Sequence, residues 1–222
     1  MTRVDVFPWP VRFYGLLGLL GIVVFMTSLI VLHRVSSDID WVRDYVSNLA
    51  NEPYGWLFAG GGFVHGLGNL AVSLGLRGAL QPERLRTWAV LLFGLAAAGI
   101  LLATLFPIDP PGQLRSITGR VHLAAASATF MLELAALFMF SLVFGRQRRW
   151  QRHQAVSMAL SVTAAIALAT FFLAIRMDVA RGLAERTALS VFLVWEIWIC
   201  FQLIRPAGKL GAGQTTVKGD SP

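Results

Sequence analysis

An all-α polytopic membrane bundle of six transmembrane helices is the architecture this sequence predicts, and three observations carry the prediction. The 222 residues are 56% hydrophobic and only 14% charged, with a mean hydropathy of +0.64. A soluble domain carries about 25% charged residues. The apolar residues fall into six stretches, each close to the roughly 20 residues that a membrane-crossing helix needs. The basic residues are sorted between alternate connections, as they are in chains threaded through a bilayer.

The first span covers residues 13–32. Its apolar run exceeds the roughly 7–15 residues of a signal peptide core, and Leu32-His33-Arg34-Val35 follows it without a small-x-small cleavage pattern. It reads as a retained helix. The second span, 56–76, is crowded with glycine: Gly60-Gly61-Gly62, Gly66 and Gly68. Small residues let membrane helices approach closely, and the Gly62/Gly66 pair fits packing within the bundle better than a dimer face. The third span, 89–106, stops at Pro107, which cannot continue a helix without losing a hydrogen bond. The fourth and fifth, 121–144 and 156–175, carry alanine runs suited to the same close packing. The sixth, 189–204, is the shortest, and Thr187 and Ala188 can extend it. Strands are excluded because the stretches lack the period-two alternation of a barrel, and lipid leaves open backbone groups without partners.

Connections of about a dozen residues after the second and fourth spans make those neighbours antiparallel. Residues 1–206 form a single domain. Residues 207–222, rich in Gly, Thr and Lys, read as a disordered cytoplasmic tail. Trp56, Trp88, Trp150 and Tyr54 fall at span ends and suit the interfacial aromatic belt. The single cysteine, Cys200, excludes an internal disulfide and reads as a packing residue.

With both termini in the cytoplasm, the inner segments hold 12 Lys and Arg against 3 Asp and Glu, and the outer loops hold 7 against 7. The positive-inside rule therefore predicts N-in and C-in. It places the protein in a cell membrane, with a bacterial inner membrane expected and the polar loops extracytoplasmic. The net charge of +7 is then a topology signal. The arginines are not interleaved with stacking aromatics, so a nucleic-acid partner is not indicated. The expected partner is the lipid bilayer, with a lipid or small molecule as ligand. Oligomeric state is not encoded in any recognisable pattern.

Two sets of polar residues carry the chemistry. Ionisable groups inside a membrane are costly and require a partner or a water-lined cavity. His65, Glu133 and Glu196 are such groups. At 1.5 Å rise per residue, His65 lies about 14 Å below Trp56. Asn69 follows four residues later on the same helical face. The four residues can share one polar site, either fixing helix packing or lining a functional cavity. The second set lies at the outer surface, in the loops over residues 33–55, 107–120 and 176–188 and at the start of the fourth span. Asp44, Ser47, Asp109, Arg120, His122, Glu185 and Arg186 gather there. The prolines and glycine after Asp109 force a turn that can hold it in place. Ion pairing is expected among Asp109, Arg120, Glu185 and Arg186.

Ser47, His122 and Asp109 have the residue types of a nucleophile, base and orienting acid. They support the alternative of a membrane-embedded lipid hydrolase or transferase. No nucleophile elbow accompanies them. No H-E-x-x-H or cysteine cluster suggests a metal. A haem held by His65 and His122 is disfavoured by their different depths. No cofactor is expected.

Asp44-Tyr45-Val46-Ser47-Asn48-Leu49 with Pro53-Tyr54-Gly55-Trp56 resembles the first motif of a bacterial and archaeal membrane family, domain of unknown function 998. Leu105-Phe106-Pro107-Ile108-Asp109-Pro110 with Gly119-Arg120-Val121-His122 is similar to the second. Gly182-Leu183-Ala184-Glu185-Arg186, followed by Trp195, is similar to the third. The resemblance extends from about Tyr14 to Ile204. It implies a six-span bundle with characteristic polar loops, similar in layout to the Frag1/DRAM/Sfk1 group. The family brings no established activity and therefore no catalytic residue. The functional expectation is binding or handling of a lipid or small molecule at a site opening to the extracytoplasmic side.

Overall fold

The computed structural model describes residues 9–110 and 112–205, with Trp9 described by its backbone alone. The expected tail, 207–222, lies outside the described residues. Six α-helices are long and apolar enough to cross a membrane. They are α1 (Trp9–Val35), α2 (Trp56–Ala79), α3 (Arg84–Leu105), α4 (Ile117–Arg146), α5 (Gln154–Met177) and α6 (Arg181–Ile204). Two short 3-10 turns, Val46–Asn51 and Gln151–His153, precede α2 and α5. There is no strand among the described residues.

The helices form a closed ring in sequence order. Each packs on the next, and α6 returns against α1, with a lighter approach to α2. Arg12 near the start of α1 donates from Nε to the Ile204 carbonyl at the end of α6, 3.0 Å away. The G-x-x-x-G pair packs α2 on α3: a Cβ on Gly62 would strike Thr104, and one on Gly66 would strike Leu101. The pair serves the bundle interior, as expected.

One end of the ring carries the connections 36–55, 106–116 and 178–180. We call it the motif face, and the end bearing Arg84, Arg146 and Arg205 the arginine face. The arginine-face half of the bundle is filled by aromatic rings. Trp195 is fully buried and contacts Phe93 and Phe140 at centroid distances of 5.7 and 5.9 Å. Phe144 stacks on Trp150 at 4.9 Å. Trp195 Nε1 donates to Ser157 Oγ at 3.0 Å, and Ser157 also bonds Ser141 of α4 at 2.7 Å. These hydroxyls give the indole a partner where lipid and packed rings offer none.

Two expectations need correction. Hydropathy predicts a sixth span over 189–204 and a loop over 176–188, yet α6 begins at Arg181 and only residues 178–180 separate it from α5. The polar Gly182–Arg186 segment breaks the hydropathy pattern but not the helix, because its side chains bond to the first loop. Asp178 and Ala180 make the tight reversal with left-handed φ angles of 53° and 48°. Trp150 is not in an interfacial belt. It is 3% exposed and seated on Phe144, whereas Trp56 is 69% exposed, as a belt residue should be.

Candidate functional site

The three motifs meet at the motif face as latches between helix ends. The first loop runs beside the start of α6. Gly182 and Leu183 donate their N–H groups to the Val42 carbonyl at 2.9 and 3.2 Å. The approach is so close that a Cβ on Gly182 would lie 2.2 Å from the Asp44 carbonyl oxygen. Glu185 Oε2 accepts from the Val46 N–H at 2.6 Å. Arg186 Nη1 donates to the carbonyls of Trp41, Asp44 and Gly182 at 3.1, 2.7 and 3.0 Å. His33 Nδ1 donates to Leu29 O, which leaves Nε2 to accept from the Arg186 guanidinium at 3.1 Å. Asp44 Oδ2 in turn accepts from Asp40 N–H at 2.8 Å. Each charged group here serves backbone that has no helical partner.

The second motif works the same way. Asp109 accepts from Ser116 through N–H at 2.9 Å and through Oγ at 2.6 Å. Ser116 is the N-cap of α4, its Oγ accepting from Gly119 N–H. A Cβ on Gly119 would lie 2.0 Å from Asp109 Oδ2. His122 Nδ1 donates to the Ala103 and Phe106 carbonyls, both at 2.9 Å, and binds α4 to the end of α3.

The expected ion pairing among Asp109, Arg120, Glu185 and Arg186 is therefore replaced. Asp109 turns to Ser116, Glu185 to Val46, and Arg186 to carbonyls and His33, while Arg120 is exposed. Unpaired backbone at helix ends outcompetes solvated charge partners, because its desolvation is costlier to leave unmet. Ser47, His122 and Asp109 likewise do not form a hydrogen-bonded relay. His122 Nδ1 faces carbonyls, and both carboxylate oxygens of Asp109 are engaged by Ser116.

Between the latches opens a cavity of about 390 Å³. Tyr45, Ser47, Ile108, Arg115 and Glu185 line its motif-face end. Arg181 lies over the Tyr45 ring at 5.3 Å, and burial raises the Tyr45 phenol above its ordinary pKa. The walls are apolar and largely aromatic, with Phe58, Phe130, Phe171 and Phe192. Ser127 of α4 and Phe172 of α5 also line the cavity and are exposed.

Its floor, near mid-bundle, brings together the four membrane-buried polar residues. Glu196 Oε2 lies 2.7 Å from His65 Nε2, and Asn69 Nδ2 donates to Glu196 Oε1. Glu133 and Glu196 both line the cavity, so two carboxyl groups converge at this floor. Glu133 Oε1 is buried, without a partner among the described residues, on a side chain lining the cavity. His65 is stacked on Phe25 at 5.0 Å and 4°. The aromatic packing of Trp195 and Phe140 closes the space beyond.

Several participants escape sequence reasoning. Phe25 is one apolar residue among many on α1, and lipid-facing and core-facing apolar residues look alike. Tyr45 and Arg115 carry no spacing signal. Gly182 is legible only as a member of its motif, and its role needs the neighbouring backbone. No group of His, Cys, Asp and Glu among the described residues is arranged to hold a metal ion.

Comparison with known proteins accords with this picture. No curated protein and no solved structure matches the chain. One family model does, over residues 19–202, a stretch running from within α1 almost to the end of α6 and including all three latch motifs and the four floor residues. The chain is thus a multi-pass membrane protein belonging to the family described as protein of unknown function, DUF998.

Proposed function

We propose that this protein binds a lipid or small apolar molecule in the cavity between the latches, entered from the motif face. The carrying observation is the cavity itself: apolar walls, a volume of about 390 Å³ and a floor of convergent polar groups. Ligand sites are commonly apolar clefts of about 300–1,000 Å³ with a few placed polar groups. The floor adds weight. A buried charged group costs about 2.5–3.5 kcal/mol at a helix centre on insertion scales. Well-packed apolar residues often match or exceed a buried ion pair in stability. Packing alone is thus a weak reason for His65, Glu133 and Glu196.

The excess of Lys and Arg at the arginine face supports an extracytoplasmic motif face in a cell membrane. A hydrolytic reading has no assembled nucleophile and base in its favour.

Extraction of the protein with its native lipids, followed by mass spectrometry, tests the proposal. A small apolar or amphiphilic molecule should co-purify with the wild type and be lost from Ala126→Trp, which fills the cavity from α4. Equal retention by both proteins would place any bound lipid outside the cavity and remove the reading.

A further inference from the structure

The floor carries more than a polar end for a ligand; its charge can be counted. α2 presents His65 and Asn69, α4 presents Glu133, and α6 presents Glu196 with the Cys200 thiol one turn on. The remaining helices present uncharged side chains: Phe25 from α1, Ile100 and Thr104 from α3, Phe171 from α5. The other titratable or charged groups on the cavity wall, Tyr45, Arg115, His122 and Glu185, belong to the motif-face end.

The floor holds two carboxyls, and Glu196 is the one with the His65 imidazole and the Asn69 amide as partners. Glu133 Oε1 has no such partner, and a carboxyl buried without one is kept neutral by the cost of its charge. A net charge in this surrounding is strongly disfavoured. A bound monovalent cation therefore requires one proton to leave, and the Glu133 carboxyl, which lines the cavity, is the group placed to release it. The unpartnered Glu133 Oε1 gives the cation a place to bond. Phe130 and Phe192, about one turn from Glu133 and Glu196 on their helices, line the cavity with them and offer the cation aromatic contact. Among the described residues, no lysine or arginine lines the floor to hold an anion.

We infer that the floor is a proton-for-cation exchange site, taking one monovalent organic cation with an apolar body, an alkyl- or arylammonium, for each proton released. The inference rests on the cavity being a ligand site. The balance is a cation from solution plus the protonated floor, giving the cation-bound floor plus one proton in solution. Bonds within the cation are untouched. The cavity volume of about 390 Å³ suits an organic cation with a ring or short chain.

The test uses the full-length protein in lipid nanodiscs and two probes of one shape. Benzyltrimethylammonium is a permanent cation without a titration of its own. Neopentylbenzene is its neutral carbon isostere. Calorimetric titration of the cation in buffers of different ionisation enthalpy should show about one proton released per cation bound. Its affinity should rise up to about tenfold per pH unit wherever the floor is protonated in the free state. Glu133→Gln should remove the proton release and the pH slope, and neopentylbenzene binding to the wild type is followed by ligand-observed NMR.

Binding of neopentylbenzene together with a cation that fails to bind, or binds without proton release, would overturn the exchange and leave the cavity reading standing. Failure of both probes to bind the wild type would overturn the two together. If the Glu133→Gln protein does not fold, the wild-type proton count alone decides.

Discussion

Gly182→Ala is the sharpest probe of the latch. The added Cβ would lie 2.2 Å from the Asp44 carbonyl oxygen, 2.8 Å from its carbon and 2.9 Å from Arg186 Nη1. An ordinary contact needs more than 3.4 Å, so the first loop must retreat by about 1 Å. Backbone atoms cannot swing aside as a side-chain end does. A shift of that size stretches the Arg186–Asp44 bond from 2.7 Å and the Glu185–Val46 bond from 2.6 Å. Hydrogen bonds to charged groups contribute about 1.5–3 kcal/mol each, so loss of both costs about 3–6 kcal/mol. For a chain of this size 1 kcal/mol shifts Tm by roughly 2–4 °C, which gives a fall on the order of 10 °C. Gly60→Ala supplies the control. Nothing lies within 4 Å of the position its added methyl would take, and alanine is favoured over glycine in a helix interior by about 0.5–1 kcal/mol. Apparent melting of both variants in the same detergent is the assay. If Gly182→Ala melts within about 2 °C of the wild type, the close approach of α6 to the first loop is not what holds the motif face together.

Two further outcomes follow from the loops. The Val42 and Arg43 N–H groups, first among the causes, hold the exposed Asp40 carboxylate below its ordinary pKa of 3.8. A depressed folded pKa stabilises the first turn above that value and loses the effect as pH falls through the lower folded pKa. Amide exchange at Val42 and Arg43 should therefore accelerate in acid beyond its intrinsic trend, and Asp40→Asn should abolish the acid dependence; an unchanged profile in the variant would assign the effect elsewhere. Cysteines placed at exposed Gln113 and Gln151 should label from opposite sides of the membrane, Gln113→Cys in intact cells and Gln151→Cys only after permeabilisation, over a silent background because Cys200 is fully buried. The reverse pattern would invert the proposed orientation.

The sequence by itself determined the six helices, because hydropathy over some 20 residues is a local property that the bilayer thickness converts directly into a span. It also singled out His65, Asn69, Glu133 and Glu196, since polar and ionisable residues stand out in an apolar run. Hydropathy misplaces the start of α6 because it cannot tell a polar loop from a polar helical turn paired with another loop. The partners of Asp109, Glu185 and Arg186 escape it because sequence displays side-chain charges and hides unpaired backbone, which won all three. Only the tertiary structure decided that the ring closes through α6 on α1, and that His65, Asn69, Glu133 and Glu196 from three helices meet at one cavity floor. It also decided that an apolar cavity joins that floor to the motif face. These facts depend on which side of each helix faces inward. In lipid both sides are apolar, so the amphipathic pattern that would reveal it in water is faint.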